Sequence, residues 1–293
     1  MGYQLWTSPV TGYRRRGTRL EDFNSAFSEK IRVKAIFEPL RSCPEGAPSE
    51  QMSDLLEQLD FDVAGVRASA DTPVIGLVFR KALEGGVIRD HMMDIREESI
   101  VSDSLGVNSL LNVLKESSFV FVRINGLIEG IVTRADLNKP IVRIYFFGLI
   151  SLLEFHFGFW IAEKYSDESW RNIIGRERVA IAERTQDERR RRGQELQLRD
   201  CLQIGDKHKL IIQHDELRAA LNLGSKRRAD RLLGKAEHLR NSLAHSQYDL
   251  ILGKSWNDLI EAVQTIEGAI IRSDELVEAY AKNSAIYDLG ALW

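Results

Sequence analysis

The sequence predicts an α+β chain, with an α/β region over about residues 24–140 followed by an all-α helical bundle over about 141–282. Three observations carry this expectation. Between 24 and 140, short runs rich in Val, Ile and Phe alternate with amphipathic stretches, and the whole pattern occurs twice. After Pro140 the strand signals give way to long stretches with apolar residues at three- and four-residue steps. A chain of 293 residues is also long for one core, which favours two domains.

Composition narrows the function classes. The net charge is -3, from 40 basic and 43 acidic side chains, so no global field draws the protein to nucleic acid and any attraction is local. Basic residues do cluster, at 14–16, 189–192 and 226–228. The only cysteines, Cys43 and Cys201, have no C-x-x-C spacing and no His at ligand spacing, which argues against a disulfide framework and a zinc site. The N-terminal residues hold no apolar stretch suited to a signal peptide, so a cytoplasmic protein is expected. The apolar stretch 141–162 approaches the roughly 20 residues of a membrane span. It contains Arg143, Glu154 and His156, however, and an ionisable group near mid-span costs about 2.5–3.5 kcal/mol. A buried or dimer-forming helix is expected there, and no membrane partner.

Taken in order, residues 1–23 carry three consecutive arginines and no apolar periodicity, and read as a basic arm. The first copy of the repeat has a helix at 49–58 and strands at 63–67 and 74–78. The second has a helix at 105–117 and strands at 120–123 and 127–132, joined by Asn125-Gly126, a pair suited to a tight hairpin turn. The expected unit is strand, helix, strand, strand, helix. Beyond Pro140, helices are expected at 141–165, 168–200, 207–223, 225–247 and 254–282, with the charged run 187–192 as a frayed helix or exposed loop. Residues 283–293 form an apolar C-terminal tail.

The most telling stretch of the repeat is Gly130-Ile131-Val132-Thr133-Arg134-Ala135-Asp136-Leu137. With the two copies, it resembles the tandem CBS pair, a regulatory module that folds around adenosine-type ligands. The resemblance implies that Thr133 lies near the phosphates of a bound AMP, ADP or ATP and that Asp136 takes the ribose hydroxyls, with Arg134 able to add charge. The physics is compatible, because a strand ending in Thr that runs into a helix begun by Asp offers a hydroxyl, backbone N–H groups and a carboxylate together. Thr133 and Asp136 also suit a helix N-cap. In the first copy, aligned on Gly76, the corresponding positions hold Phe79 and Ala82, so one nucleotide per pair is expected.

In the helical region attention falls on Arg240-Asn241-Ser242-Leu243-Ala244-His245. Ser225 can cap the helix, and Leu232, Ala236, Leu239 and Leu243 form its apolar stripe. Arg240 flanks the stripe, while Asn241 and His245 lie one turn apart on the other side. An Arg and a His five residues apart also suit a surface near a helix C-terminus. In a C-terminal helical bundle, with a polar residue after the Arg, the pattern resembles the HEPN domains. That resemblance implies metal-independent RNA cleavage by a dimer. His245 would move a proton, Arg240 would hold the phosphoryl oxygens, and Asn241 would orient one or the other. Five residues turn a helix by about 500°, so Arg240 and His245 diverge by about 140° and lie about 7.5 Å apart along the axis. One helix cannot aim both at a single atom, which points to a homodimer. The expected function is an adenine-nucleotide-regulated endoribonuclease with RNA as substrate and no cofactor for its chemistry. The alternative is a non-catalytic nucleotide-binding regulator whose helical domain only dimerises or docks to a partner.

Overall fold

A computed structural model describes residues 19–28, 31–245, 249–251 and 255–283, so the arginines at 14–16 and the tail from 284 lie outside the described residues. The chain divides into two units. One is Phe27–Val142; the other is formed by the chain from Arg143 onward together with the N-terminal segment up to Ala26. These boundaries differ from the sequence expectation. Residues 20–23 do not continue an arm: they begin helix α1 (Leu20–Ser28), whose Leu20 and Phe23 are buried.

The α/β unit contains the repeat. Its first copy is β2 (Ser42–Pro44), α2 (Ser49–Gln58), β3 (Val63–Arg67) and β4 (Val74–Phe79), after the short β1 (Glu38–Pro39). Its second is β5 (Ile100–Ser102), α3 (Val107–Glu116), β6 (Phe119–Ile124) and β7 (Leu127–Thr133). Within each copy the first strand pairs parallel to the second and the second antiparallel to the third. The sheet orders are β2-β3-β4 and β1-β7-β6-β5, with β1 antiparallel to β7.

Both hairpins have an irregularity at the same place, after Val66 opposite Gly76 and after Val122 opposite Gly130. A Cβ on Gly76 would lie 2.9 Å from the Met93 carbonyl oxygen, and one on Gly130 would lie 2.5 Å from the Phe37 ring, so close approach explains both glycines. Asn125 and Gly126 have φ of 49° and 88°, as the tight turn requires. One apolar cluster gathers Leu56, Val66, Val78 and Ile88 of the first copy; another draws Leu40, Leu77 and Phe121 together from both sheets.

The helix expected to close each copy is only a 3-10 turn, Arg80–Ala82 in the first and Arg134–Asn138 in the second. In the second copy Lys139 is extended, as the residue before a proline prefers, and stops the turn.

The second unit is mainly helical: α4 (Pro140–Lys164), α5 (Trp170–Ile174), α6 (Arg176–Arg191), α7 (Ile204–Gln213), α8 (Asp215–Ala220), α9 (Lys226–Ala244) and α10 (Trp256–Asn283). Helix α4 opens on Pro140, well placed at a first helical position, and buries Tyr145, Phe146, Leu149, Leu153, Phe157 and Trp160. It is long and apolar enough to cross a membrane, but 67% of its apolar window is buried within the fold, as in the core helix of a globular unit. His156 Nδ1 lies 2.7 Å from the Ser273 hydroxyl of α10, to which Trp160 Nε1 also donates. Helix α1 joins this core: the Tyr145 hydroxyl donates to Asn24, Phe23 stacks on Tyr145, and the Leu20 N–H donates to Asp274.

Two expected helices are divided. Over 168–200, Gly175 adopts φ 89° and separates α5 from α6, which stops at Arg191 before Gly193 (φ 75°). The run 189–191 is thus the last helical turn, where cations favour the helix dipole. Over 207–223, His214 leaves helical geometry, and its ring nitrogen accepts from the Leu217 N–H to cap α8.

Candidate functional sites

Thr133 ends β7 and Asp136 lies in the 3-10 turn that follows, which brings the two side chains together. The Thr133 N–H and hydroxyl both donate to Asp136 Oδ2, at 2.7 and 3.0 Å. Lys139 Nζ lies 3.0 Å from Oδ1 and also reaches Glu38 and the Ile36 carbonyl. Burial pulls the Lys139 pKa down, but its hydrogen bonds to Glu38 and Asp136 outweigh this and raise it. Asp136 is 8% exposed. A carboxylate offers about four lone pairs. Three are taken, and the remaining one, on Oδ1, can accept from a ligand.

Thr133 and Asp136 open onto a cavity of about 720 Å³ built from both copies. The first copy contributes Phe61, Phe79 and Lys81, and the second contributes Phe119 and Ile131. Arg41, between β1 and β2, also lines it, as do the acidic Glu38, Asp60 and Asp62, of which Glu38 pairs with Lys139 and Asp62 with Arg80. Phe79 stands where a second Thr would be, and packs edge-on against Phe119 with centroids 6.1 Å apart. The first copy therefore supplies aromatic wall in place of a hydroxyl and a carboxylate. Arg41 and Lys81 are exposed and form no ion pair with a described residue. Neither stands out in the sequence alone; the alignment of the copies, which puts Lys81 two residues after Phe79, is the signal that marks it.

Arg134 is turned elsewhere. Its guanidinium donates to the carbonyls of Leu114, Lys115 and Ser117, capping the C-terminus of α3, so it does not add charge to the cavity. Arg80, at the same point of the first copy, pairs with Asp62 at 3.1 Å and lies 3.7 Å from Glu57 of α2. An arginine at the start of this turn secures the preceding helix in both copies.

In the helical unit Ser225 caps α9 as expected, accepting from the Arg228 N–H at 3.3 Å. The buried stripe is Leu232, Ala236, Leu239 and Ser242; Leu243 is only half-buried, because the stripe drifts around the helix. Arg240 donates to Asn241 Oδ1 at 3.2 Å, and both line a cavity of about 540 Å³ with Arg178, Asp206, Lys209 and Glu237. Arg178 there forms a two-pronged pair with Asp206, at 2.7 and 2.8 Å. His245 is the exposed C-cap of α9 and does not line that cavity; its N–H donates to the Asn241 carbonyl at 3.0 Å. Within one chain, Arg240 and Asn241 come together and His245 stands apart.

No family model and no curated protein matches the chain. Similar solved structures include the CBS domain of a bacterial CNNM/CorC family Mg2+ transporter in complex with ATP, at 21% identity and TM-score 0.33, covering 42% of this chain and 96% of that one. They also include CBSX2 in complex with AMP, at 19% identity and TM-score 0.33, covering 39% and 95%. An uncharacterized conserved protein from Pyrococcus horikoshii shares 18% identity with TM-score 0.32, covering 37% and 90%. By its own strand order and repeat, the chain has a CBS-like α/β region followed by a mainly helical part.

Proposed function

We propose that the α/β unit binds one adenosine-type nucleotide per chain and that the protein is a nucleotide-responsive regulator. The observation that carries this is the cavity of about 720 Å³ where Thr133 and Asp136 meet the aromatic walls Phe61, Phe79 and Phe119 and the cations Arg41 and Lys81. The rings suit a base, the cations suit phosphates, and Asp136 suits ribose hydroxyls. Binding turns the Thr133 hydroxyl from Asp136 toward a phosphate oxygen, and the lone pair this releases on Oδ2 accepts a ribose hydroxyl. One rotation serves both ends of the ligand. Calorimetry with AMP, ADP and ATP tests the reading. Saturable binding to the wild type and at least about tenfold weaker binding to Asp136→Asn is expected; equal affinities refute it.

A second reading concerns output. Arg240 and Asn241 share a cavity with Lys209, while Arg178 there is neutralised by Asp206, and the two cations left without an ion pair to a described residue favour RNA cleavage by the helical unit. His245 would be supplied to this cavity across a homodimer. The surface of α4 supports such pairing, because Ile144, Phe147 and Phe155 are exposed at helical spacing. Only Leu137, Asn138 and Lys139 separate Asp136 from Pro140 at the start of α4, so no long linker intervenes between ligand and output. Cleavage of RNA in EDTA by the wild type but not by Arg240→Ala or His245→Ala is the expected result. Equal cleavage by all three leaves only the regulatory reading.

A further inference from the structure

The chain passes between its two units twice, at Ala26–Phe27 and at Val142–Arg143. Lys139 stands three residues before the second passage, and its ammonium has three N–H groups to donate. One faces Asp136 Oδ1 at 3.0 Å. The others donate to the Glu38 carboxylate and the Ile36 carbonyl, in the stretch that follows the first passage. These two partners lie 101 and 103 residues from Lys139 in the chain, so the ammonium joins segments that only the fold brings together.

Each contact leads to a different part of the molecule. Glu38 and Asp136 both line the nucleotide cavity and Lys139 does not, so the ammonium stands behind the wall and offsets the charge of two carboxylates in it. Further along the chain, the Lys139 carbonyl accepts from the Val142 N–H at 3.0 Å, in the first turn of α4. That helix runs unbroken across the second passage. On the side of the first passage, the Val33 and Lys34 N–H groups donate to the Leu105 and Asp103 carbonyls of the second copy, both at 2.8 Å. Lys139 adds a side-chain link from this backbone-held stretch to the cavity wall.

We propose that Lys139 carries nucleotide occupancy of the cavity to both passages of the chain into the helical unit. This rests on the nucleotide reading of Thr133 and Asp136 and names the path of its regulation. Without nucleotide, the Asp136 carboxylate is held by Thr133 and Lys139. Ribose hydroxyls add donors from the cavity side and pin it. A pinned acceptor steadies its ammonium, and the ammonium steadies Glu38 and Ile36. Through the Lys139 carbonyl, the same restraint reaches the first turn of α4. Coupling of this kind is reciprocal: whatever orders the two passages tightens the hold on nucleotide by the same factor.

The test is hydrogen exchange of the full chain read by mass spectrometry, with and without AMP, ADP or ATP at saturation set by calorimetry. In the wild type, nucleotide is expected to slow exchange about threefold or more at 119–136, in the cavity wall, and also at 31–38 and 139–146. Lys139→Met should keep the slowing at 119–136, lose it at the other two stretches, and bind nucleotide about fivefold or more weakly. Glu38→Met removes one arm of the link. It is expected to cut the slowing at 31–38 to less than about half while 139–146 responds as in the wild type, and it decides the matter if Lys139→Met does not fold. Slowing at 119–136 alone in the wild type, slowing at all three stretches in Lys139→Met, or an undiminished response at 31–38 in Glu38→Met overturns the coupling and leaves the nucleotide reading standing. No slowing at any stretch, with no heat of binding, sinks the nucleotide reading and the coupling with it.

Discussion

Thr133 closes on Asp136 through two hydrogen bonds to a single carboxylate oxygen, from its N–H at 2.7 Å and its hydroxyl at 3.0 Å. The pair proposed to hold ligand also fastens the end of β7 to the turn that follows. Asp136→Ala leaves a strand-end N–H and the half-buried Lys139 short of an acceptor, and is expected to cost about 1–3 kcal/mol. Urea unfolding measures that loss. Asp136→Asn keeps one acceptor oxygen and should cost less, which makes it the better variant for binding work.

Acid stability reports His208. Its unfolded imidazole titrates near 6.5, whereas burial brings the folded value to about 3. Between these values the unfolded chain binds the extra proton, so stability is level above about pH 6.5 and falls as pH drops toward 3. The slope from this one group is at most about 1.4 kcal/mol per pH unit. His208→Gln should flatten the limb between pH 6.5 and 4 in chemical unfolding series. Asp258, held below the usual carboxylate range by hydrogen bonds from Lys235 and Ser255, loses its contribution only below about pH 4. The two windows are therefore separable.

Gly130 and Gly234 should respond oppositely to the same replacement. Gly130→Ala drives a methyl against Phe37 and Val122, and is expected to destabilise by about 1–3 kcal/mol. Gly234→Ala enters open space in a helix interior and is expected to stabilise by about 0.5–1 kcal/mol. Thermal denaturation of the two variants gives both signs.

Phe147→Glu tests the proposed pairing of chains. Ile144, Phe147 and Phe155 are 55%, 48% and 40% exposed on α4. A charge at the centre of that stripe should convert a dimer to monomers in light scattering, while the monomer's own stability changes by no more than about 0.5 kcal/mol. A wild type that is already monomeric removes the premise that His245 reaches a second chain.

What the sequence made legible was local. Helix Ser49–Gln58, the Asn125-Gly126 turn and the Ser225 cap each depend on neighbouring residues, and their side chains announce them. The short strand β1 is placed by β7 some ninety residues later, so no local pattern marks it. The aromatic walls Phe79 and Phe119 exist only because the two copies pack together, and each alone reads as ordinary core. His208 is hidden in the sequence for a similar reason. Its spacing to His214 suits no metal, and nothing in the residue order reveals that both of its nitrogens are buried without a hydrogen-bond partner among the described residues. Gly175 was readable, since a glycine inside a helical pattern is a candidate break, and the periodicity on either side concealed it.

The first copy carries Phe79 and Ala82 where the second has Thr133 and Asp136, and its turn still forms, with Arg80 anchored on Asp62. The chain thus contains its own double replacement, already folded. The architecture accepts either pair, an aromatic wall in one half and a hydrogen-bonded hydroxyl and carboxylate in the other. That contrast supplies an internal reference for every experiment on the cavity. Grafting the plainer half's residues onto its twin, as Thr133→Phe with Asp136→Ala, asks of the protein only a solution it has found once before.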